Sequence, residues 1–578
     1  MMKKRILAIL LSLGCILSCT ACGDMPTYSN GAVYNVPGEK KTTIRVTNFD
    51  GGIGTVWLDK AAERFAELNQ TKSYATGKQG IYVNVERASS INLSSTGSWG
   101  DIAFTERSYD VTALAQLGVL LNIDDVITDT TRSGGSIDSL IYENKKASLK
   151  GHDGQYYGLP HYEFFGGLSY DHEFFEKENI FIAGDSVQNA SVNVYTSSYG
   201  TLRLVKDSSV QKSVGPDGQE NTADDGLPSS MEELIQVMAY IKNKTDYGAV
   251  VVGATVPNYT NYLIAGLWAS LAGYQQMINY YNCTGEIEIV DSLSNEPLFK
   301  GIDYIKKPNT RKVVLSENTG FLGNNMAAKY YAISLMEIML KEGFLVNSSF
   351  SGTDHYGAEK SIIYNPIDSQ YDKVAMLIEA TYWYNEATIA GSFTSYETLA
   401  KTKEERDLRF MALPNSFNTI PENQRTEQKN VIMDIGIGIG VANAKNEGNE
   451  EIVSAVKDFI AFLYSSEELI NFTVETGMTR PLTYDVGEQA SQMVGFYEKL
   501  WNLRQGANVI YWSGTTSAFK QTKNYLKIVL ELPKNPDKYN NYLTALRAGE
   551  GWTTETLFNE TKYTETEWKN YYNENLGN

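Results

Sequence analysis

Cysteine and histidine are both scarce in this sequence. Three of the four cysteines, Cys15, Cys19 and Cys22, lie near the start, and only Cys283 remains beyond them. A disulfide framework is therefore excluded for most of the chain. The four histidines form no His-Glu-x-x-His pattern, and paired Cys-x-x-Cys motifs are absent. No transition-metal site is predicted from these spacings, and we expect no required cofactor.

Positive charge is also in deficit. The chain has 50 Lys and Arg against 69 Asp and Glu, a net charge of −19. Such a chain should avoid nucleic acid and favour neutral or cationic ligands. Neither a Walker loop nor a dinucleotide-binding glycine motif is present. At 578 residues the chain is too long for one hydrophobic core, so two or more domains are predicted.

The N-terminal segment has the layout of an export signal. A basic start at residues 1–5 precedes an apolar run at 6–17 that is short for a membrane span. With Ala21 before Cys22, residues 1–21 resemble a bacterial lipoprotein signal, and Cys22 is the predicted lipidation site. Cys19 is a rival site, and an ordinary secretory signal or an uncleaved anchor is the alternative. Polar residues 22–41 then predict a flexible tether at the extracellular face of the membrane.

Hydrophobic periodicity predicts a mixed α/β fold. A strand at 42–49 is followed by a glycine turn at 50–54 and a helix in which Leu58, Ala61, Ala62 and Phe65 form one apolar face. A second strand at 81–85 completes a βαβ unit, which predicts a parallel sheet. Thr55 is the expected helix cap.

Further elements follow the same reasoning. Ser229 with Glu232 predicts a capping box. Strands are predicted at 372–379 and 431–441, and a helix is predicted at 522–532.

Extended passages interrupt these elements in three places. Pro160 fixes its own φ and keeps Leu159 out of the helical region, so residues 157–162 are extended. A polar stretch at 415–429 and the Gly-Met-Thr-Arg-Pro run at 477–481 have a similar character. Extended passages between globular halves are typical of hinges. The sequence thus predicts two lobes joined by three crossings, with a ligand cleft between them.

Four stretches, taken in order, resemble one protein family. They are 100–104 with 117–120, 153–160, 374–376 with 382–383, and a helix pair at 455–477 before Arg480-Pro481. They are similar to the sugar-type solute-binding lipoproteins of bacterial ABC importers, which include maltose-binding and alginate-oligosaccharide-binding proteins. The resemblance departs at 373–380, where the family's glycine and tryptophan positions are not matched.

That resemblance implies a fold and a function. The fold is a two-lobe type II α/β architecture, with 42–158 plus 428–480 in the N-lobe and 161–422 plus 484–578 in the C-lobe. The implied function is capture of a carbohydrate, without chemical change, by a monomer that delivers it to membrane permease subunits. The alternatives are a surface glycoside hydrolase or lyase using two carboxylates, or the same receptor fold binding a peptide or another small solute.

Candidate ligand contacts lie after strands and at the crossings, where two-lobe α/β proteins bind ligands. Aromatic rings would pack on sugar faces, while charged groups would bond to hydroxyls. The candidates at these places are Asp50, Trp57, Thr105, Glu106, Glu163, Tyr382, Trp383 and Arg480, and Trp268 on a predicted helix is added to them. The alternative for Trp57 and Trp268 is core packing, and Asp50 has a turn-bracing alternative. Glu163 and Arg480 have the alternative of an ion pair bridging the lobes.

A separate acidic loop resembles the start of an EF-hand. Its oxygen-bearing positions are Asp217, Gln219, Asn221, Ala223 through its carbonyl, and Asp225. The alginate-binding relatives carry calcium in a comparable insertion, which implies a structural Ca²⁺ here. However, Pro228 occupies the position where the EF-hand needs a bidentate glutamate. The alternative is a solvated, Asx-rich turn.

Overall fold

The computed structural model describes residues 33–106, 109–132, 135–436, 438–511, 542–550 and 552–575. The predicted signal with Cys22 and the predicted helix at 522–532 lie outside these ranges. The strands are β1 Thr42–Phe49, β2 Ile81–Ala88, β3 Ile102–Thr105, β4 Gly158–Pro160, β5 Gly166–Asp171, β6 Val192–Ser197, β7 Gly200–Val205, β8 Gly248–Val251, β9 Gly285–Phe299, β10 Ile302–Leu315, β11 Val374–Ala380, β12 Leu408–Phe410, β13 Val431–Asp434, β14 Ile439–Ala442 and β15 Asn508–Tyr511.

The α-helices vary from one turn to more than five turns. They are α1 Val56–Leu68, α2 Val111–Gln116, α3 Asp124–Ile127, α4 Ile137–Leu140, α5 Glu143–Lys146, α6 His172–Lys177, α7 Met231–Lys244, α8 Thr260–Asn282, α9 Ala327–Lys341, α10 His355–Ile363, α11 Trp383–Ile389, α12 Ser392–Ala400, α13 Glu450–Leu463, α14 Ser466–Thr476, α15 Gly495–Gly506, α16 Tyr542–Arg547, α17 Thr554–Glu560 and α18 Glu565–Asn575. None of the helices in the described ranges is both long enough and apolar enough to cross a bilayer.

The first sheet has the strand order β2-β1-β3-β14-β4. β1 is parallel to both β2 and β3, whereas β14 runs antiparallel to β3 and β4. Helix α1 packs against β2, and the apolar face predicted from the sequence, which includes Leu58 and Phe65, is buried. The predicted βαβ unit is therefore confirmed.

The second sheet has the order β12-β5-β11-β8. Every residue of β5 and β11 is buried, as expected for central strands covered by helices on both faces. Helix α8 packs on β5, and α10 packs on β11.

The chain passes between these two sheets three times. It leaves the first sheet at Pro160 and enters the second at Gly166. It returns after β12 to place β14 in the first sheet, and it leaves again after α14 so that α15 packs on β12. The first and third passages overlap the predicted regions 157–162 and 477–481, whereas the second enters the first sheet between β13 and β14, after the predicted region 415–429. The exact lobe boundaries stay predictions.

The predicted strand at 431–441 is wrong in one respect, because two strands occupy this stretch. β13 pairs in parallel with β15, whereas β14 pairs with β3 and β4. The chain changes sheets between β13 and β14, so the two halves of one continuous apolar stretch pair with strands of different sheets. Local periodicity carries no information about which distant strand will pair with each half.

Two predicted helix caps also need correction. The capping box at α7 is formed by Ser230 and Glu233, one residue later than predicted, although the Ser229 hydroxyl also donates to Glu233. Thr55 stands at the start of α1, but its side chain makes no capping hydrogen bond.

The end of the predicted tether is packed against the first sheet. Asn35 exchanges hydrogen bonds with the backbone of Val83 on β2, at 2.8 and 2.9 Å. The backbone N–H of Asn35 also donates to Glu63 on α1. The folded body therefore includes residues just before β1.

Candidate ligand-binding cleft

A cleft lies where loops from the two sheets meet. Loop 50–54 and Glu106 follow β1 and β3 of the first sheet, and Tyr382 follows β11 of the second. The carboxyl ends of parallel strands are the usual ligand-binding edge of α/β sheets. The first crossing, including Tyr162, lies beside them.

Gly52 brings the two sides into direct contact. Its backbone N–H donates to Glu386 Oε1 on α11 at 3.0 Å. Gly52 has φ +55°, and a Cβ at this position would lie 2.5 Å from both Glu106 Oε1 and the Tyr162 hydroxyl. This approach requires glycine for both its conformation and its lack of a side chain.

Aromatic rings form one wall of the cleft. Tyr259 and Tyr262, at the start of α8, stack with ring centroids 5.0 Å apart. Tyr382 lies beside both and meets Phe164 edge-on at 5.0 Å. Because Tyr259 and Tyr262 are only half-buried, part of their ring surface remains open. Such surfaces pack well against the apolar faces of sugar rings.

Carboxyl groups converge on the same region. Glu379 at the end of β11 and Glu359 on α10 are completely buried, and none of their side-chain oxygens has a hydrogen-bond partner. Burial, and then the neighbouring carboxylates, raise the pKa of both groups well above the usual value. Burial also raises the pKa of Glu386 to about 7 and that of Glu106 to about 8. The cleft therefore contains several carboxyl groups that can form hydrogen bonds, and ionising them without a partner costs free energy because they are buried.

A cavity of about 570 Å³ opens beside helix α10, the helix that carries Glu359. Its volume is within the range typical of small-molecule sites. Its lining includes Thr353, Asp354, Tyr356 and Lys360 at and along α10, Ala390 at the end of α11, and Thr255 and Tyr371 from neighbouring loops. Asp50 acts electrostatically on Tyr356, which places the loop after β1 near this cavity.

Several predicted contacts lie in or beside this cleft. Glu106 and Tyr382 contribute to it directly, and the exposed Asp50 lies at its edge. Thr105 is buried at the end of β3, opposite Ile439. Whether these residues touch a ligand stays a prediction.

The predicted tryptophans lie in the core. Trp57 is buried and meets Phe104 and Phe472 edge-on. Trp268 packs edge-on to Tyr280, and the Trp383 indole N–H donates to Ser169 Oγ at 2.9 Å. These positions match the core-packing alternative that the sequence left open for Trp57 and Trp268. Of the pair Tyr382 and Trp383, only the tyrosine faces the cleft aromatics.

Glu163 and Arg480 do not pair with each other. Glu163 is bonded to Arg504 on α15, while Arg480 donates to the His161 carbonyl at 2.8 Å and lies over the Phe472 ring at 4.0 Å. Both side chains are completely or almost completely buried at the crossings. They hold the crossing segments together through separate partners.

The sequence predictions missed the second set of cleft residues: His355, Glu359, Glu379, Glu386, Tyr259 and Tyr262. Two signals were present. Glu379 is the one charged residue in the apolar strand β11. His355 and Glu359 are four residues apart on a helix, so they share a face.

The acidic loop bonds to its own backbone. The Asp217 carboxylate accepts from the Gln219 N–H, and the Asp225 carboxylate accepts from the N–H groups of Asn221 and Thr222. Asp224, which was not predicted as a ligand, accepts from the Asp217 N–H at 3.0 Å. These contacts fit the Asx-rich turn, and Ca²⁺ binding here stays a prediction.

Comparison with known proteins identifies the fold. No family model and no curated protein matches the chain. Among solved structures, a chitin oligosaccharide binding protein is 12% identical, with 92% of this chain and 100% of that chain covered and a TM-score of 0.51. A protein studied for xylan utilization by the thermophilic bacterium Caldanaerobius polysaccharolyticus is 13% identical, with 90% and 99% covered and a TM-score of 0.52. The SBP RafE in complex with raffinose is 11% identical, with 92% and 100% covered and a TM-score of 0.50.

This chain has the solute-binding-protein fold. Each of these structures is covered almost completely, so the likeness includes both sheets and the connections between them. The predicted fold class is confirmed. At these identities the likeness concerns the fold, and the ligand has to be argued from the cleft.

Proposed function

We propose that this protein captures a carbohydrate, an oligosaccharide by preference, in the cleft and delivers it to the permease subunits of an ABC transporter. The observation that carries the proposal is an aromatic and carboxyl-rich cleft in a fold shared with oligosaccharide- and raffinose-binding proteins. The oligosaccharide and raffinose are ligands of those other proteins. A carbohydrate ligand is proposed for this chain because its own cleft has aromatic and carboxyl groups.

The cleft supplies the two kinds of contact that sugar capture needs. Tyr259, Tyr262 and Tyr382 offer aromatic faces, and Glu106 and Glu386 offer acceptors for hydroxyl groups. Hydroxyls buried without partners would cost about 1–3 kcal/mol each, so acceptors at the cleft are required for affinity. A neutral sugar also suits a chain with excess negative charge.

Lobe closure gives the bound state a shape that a transporter can recognise. The Gly52–Glu386 hydrogen bond joins a loop of the first sheet to a helix of the second. A ligand that touches both sides would stabilise this contact and shift the population toward the closed state. Capture and delivery need no bond to be made or broken.

The proposal includes an extracellular position and a lipid anchor. The N-terminal pattern supports lipidation of Cys22 after cleavage. Metabolic labelling with palmitate in a bacterial host should label the full chain and fail for Cys22→Ser. Cys19→Ser is the matched control, and loss of label only in that variant would move the anchor to Cys19.

The decisive binding experiment is a glycan titration of the tag-free mature protein. Tryptophan fluorescence and thermal unfolding should both respond to a glycan at micromolar concentration, because a ligand of the folded state raises its melting temperature. Chromatography should then recover the glycan intact. Shortened glycan would instead show a hydrolase or lyase. A response only to peptides would contradict the carbohydrate assignment, and the proposed role as a solute receptor would still stand.

A further inference from the structure

The carboxyl cluster beside the second sheet has no ion-pair partner. In the described part of the chain, no salt bridge reaches Glu359, Glu379 or Glu386, and the nearest opposing charge, Lys360, acts on Glu359 only from a distance. Gly52 supplies one backbone N–H to Glu386, and the remaining five carboxyl oxygens have no hydrogen-bond partner. Buried carboxylates without partners are strongly disfavoured, so either protons or a cation must neutralise them.

The geometry around these carboxyls has the dimensions of an ion site. One ring nitrogen of His355, one oxygen of Glu359 and one oxygen of Glu386 all lie within 4.8 Å of one another. An ion with metal–ligand bonds of about 2.1–2.4 Å holds opposite ligand atoms ~4.2–4.8 Å apart, and adjacent ones closer. His355 and Glu359 are one turn apart on α10, and Glu386 approaches from α11.

The third proposed ligand is an imidazole, the side chain that most often binds metal ions in proteins. His355 lies at the start of α10 and is half-buried. Glu379 lies close to Glu359, and it is also completely buried without a hydrogen-bond partner for its carboxyl oxygens.

We propose that His355, Glu359 and Glu386 bind a divalent transition-metal ion at the floor of the cleft. A mixed set of one imidazole and carboxylates suits Zn²⁺ or Mn²⁺ better than Ca²⁺ or Mg²⁺, which favour oxygen alone. The sequence lacks His-Glu-x-x-His and paired Cys-x-x-Cys motifs, which excludes only metal sites whose ligands lie close together in the sequence. Here the ligands come from two helices that the fold brings together.

The site would also be linked to the cleft. Glu386 accepts the Gly52 N–H from the opposite side, so an ion that fixes the Glu386 carboxylate would position the acceptor used in closure. Metal binding itself does not depend on the ligand being a carbohydrate.

The test uses the full mature chain without an affinity tag. After treatment with a chelator and dialysis, ZnCl₂ is titrated by calorimetry, with MnCl₂ and CaCl₂ in parallel. One Zn²⁺ per chain should bind, and the melting temperature should rise. His355→Ala and Glu359→Gln should each weaken binding at least about 100-fold, since even outer-shell partners of metal ligands contribute 10–100-fold.

Two control variants separate this site from others. His152→Ala removes an exposed histidine, and Asp225→Asn removes a carboxylate of the acidic loop; both should retain the ion. If Glu359→Gln does not fold, the half-exposed His355 still provides the test. Retained binding in both ligand variants, or loss only in Asp225→Asn, would overturn the proposal.

Absence of binding at millimolar Zn²⁺ would also overturn it, and would leave protons as the neutralising partners. A glycan titration of the same samples keeps the two proposals separate. Zn²⁺ binding without any glycan response contradicts only the carbohydrate function. A glycan response without Zn²⁺ binding contradicts only the metal site.

Discussion

Glu163 Oε1 accepts a hydrogen bond from Arg504 Nε at 2.7 Å and joins the first crossing to helix α15. Glu163 is fully enclosed, and its other contacts include the hydroxyls of Thr479 and Tyr511. Arg504 also donates to the Tyr142 hydroxyl at 2.6 Å. The pair therefore holds segments from the first crossing, the third crossing and the small β13–β15 sheet against one another.

Removing one partner of this pair should be costly. Arg504→Met leaves the Glu163 carboxylate buried without its counter-charge, so we expect a loss of about 3–5 kcal/mol in the free energy of unfolding. Urea unfolding followed by circular dichroism measures the change. Lys499→Met on the same helix is the matched control, because Lys499 is partly exposed and its contact with Glu498 at 3.7 Å is weak. The control should stay within about 0.5 kcal/mol, and equal losses in both variants would contradict the role of the pair.

Gly52→Ala should impair closure. The new Cβ would meet Glu106 and Tyr162 at 2.5 Å, and the φ of +55° adds backbone strain. We expect glycan affinity to fall about tenfold or more, corresponding to ~1.4 kcal/mol, with a smaller contraction on ligand addition in solution scattering. Gly77→Ala is the control, because Gly77 has φ +81° but nothing within 4 Å of an added Cβ. If both variants bind alike, the close approach at Gly52 is not needed for capture.

Glu106 should make the ligand-free protein less stable as pH rises. Burial is the main cause that raises the pKa of Glu106 to about 8, with Glu386 adding to it and Tyr162 opposing it. Between the ordinary value of 4.5 and about 8 the unfolded chain gives up this proton while the folded chain keeps it, so stability falls across this window. Below the window the contribution is fully present.

The variant Glu106→Gln should flatten that fall. Melting temperatures at pH 5 and pH 8 are compared for the wild type, Glu106→Gln and the control Glu39→Gln, which changes an exposed carboxyl. The difference between the two pH values should shrink only in Glu106→Gln. An unchanged difference would show that the Glu106 proton is not held more tightly in the folded state.

Tyr259→Ala should weaken glycan binding without unfolding the protein. It removes one ring of the stacked pair with Tyr262 at the cleft wall. The loss of aromatic packing should lower affinity about tenfold, near ~1.4 kcal/mol. Isothermal titration measures the affinity, and Tyr274→Ala, an exposed tyrosine on the same helix α8, is the control. Equal affinity in the two variants would place the sugar elsewhere in the cleft.

The sequence determined the features that depend on near neighbours. The spacing of apolar residues specified the βαβ unit of β1, α1 and β2. This is possible because the buried face of a helix or a strand repeats roughly every two to four residues along the sequence. Pro160 specified an extended crossing through its own ring. The ends of α14 also depend on near neighbours: the Ser465 side chain accepts from the Glu468 N–H at its start, and Gly477 ends it in the left-handed conformation.

Only the tertiary structure decided which distant residues share a site. Glu163 is paired with Arg504 and not with Arg480, and His355 and Glu359 are joined by Glu386 from another helix. The split of residues 431–442 between two sheets has the same origin. The physical reason is that side-chain chemistry sets what a residue can bind, whereas the long-range folding of the chain sets what lies within reach. The long-range folding of the chain therefore creates the cleft, and the sequence supplies the residue types that line it.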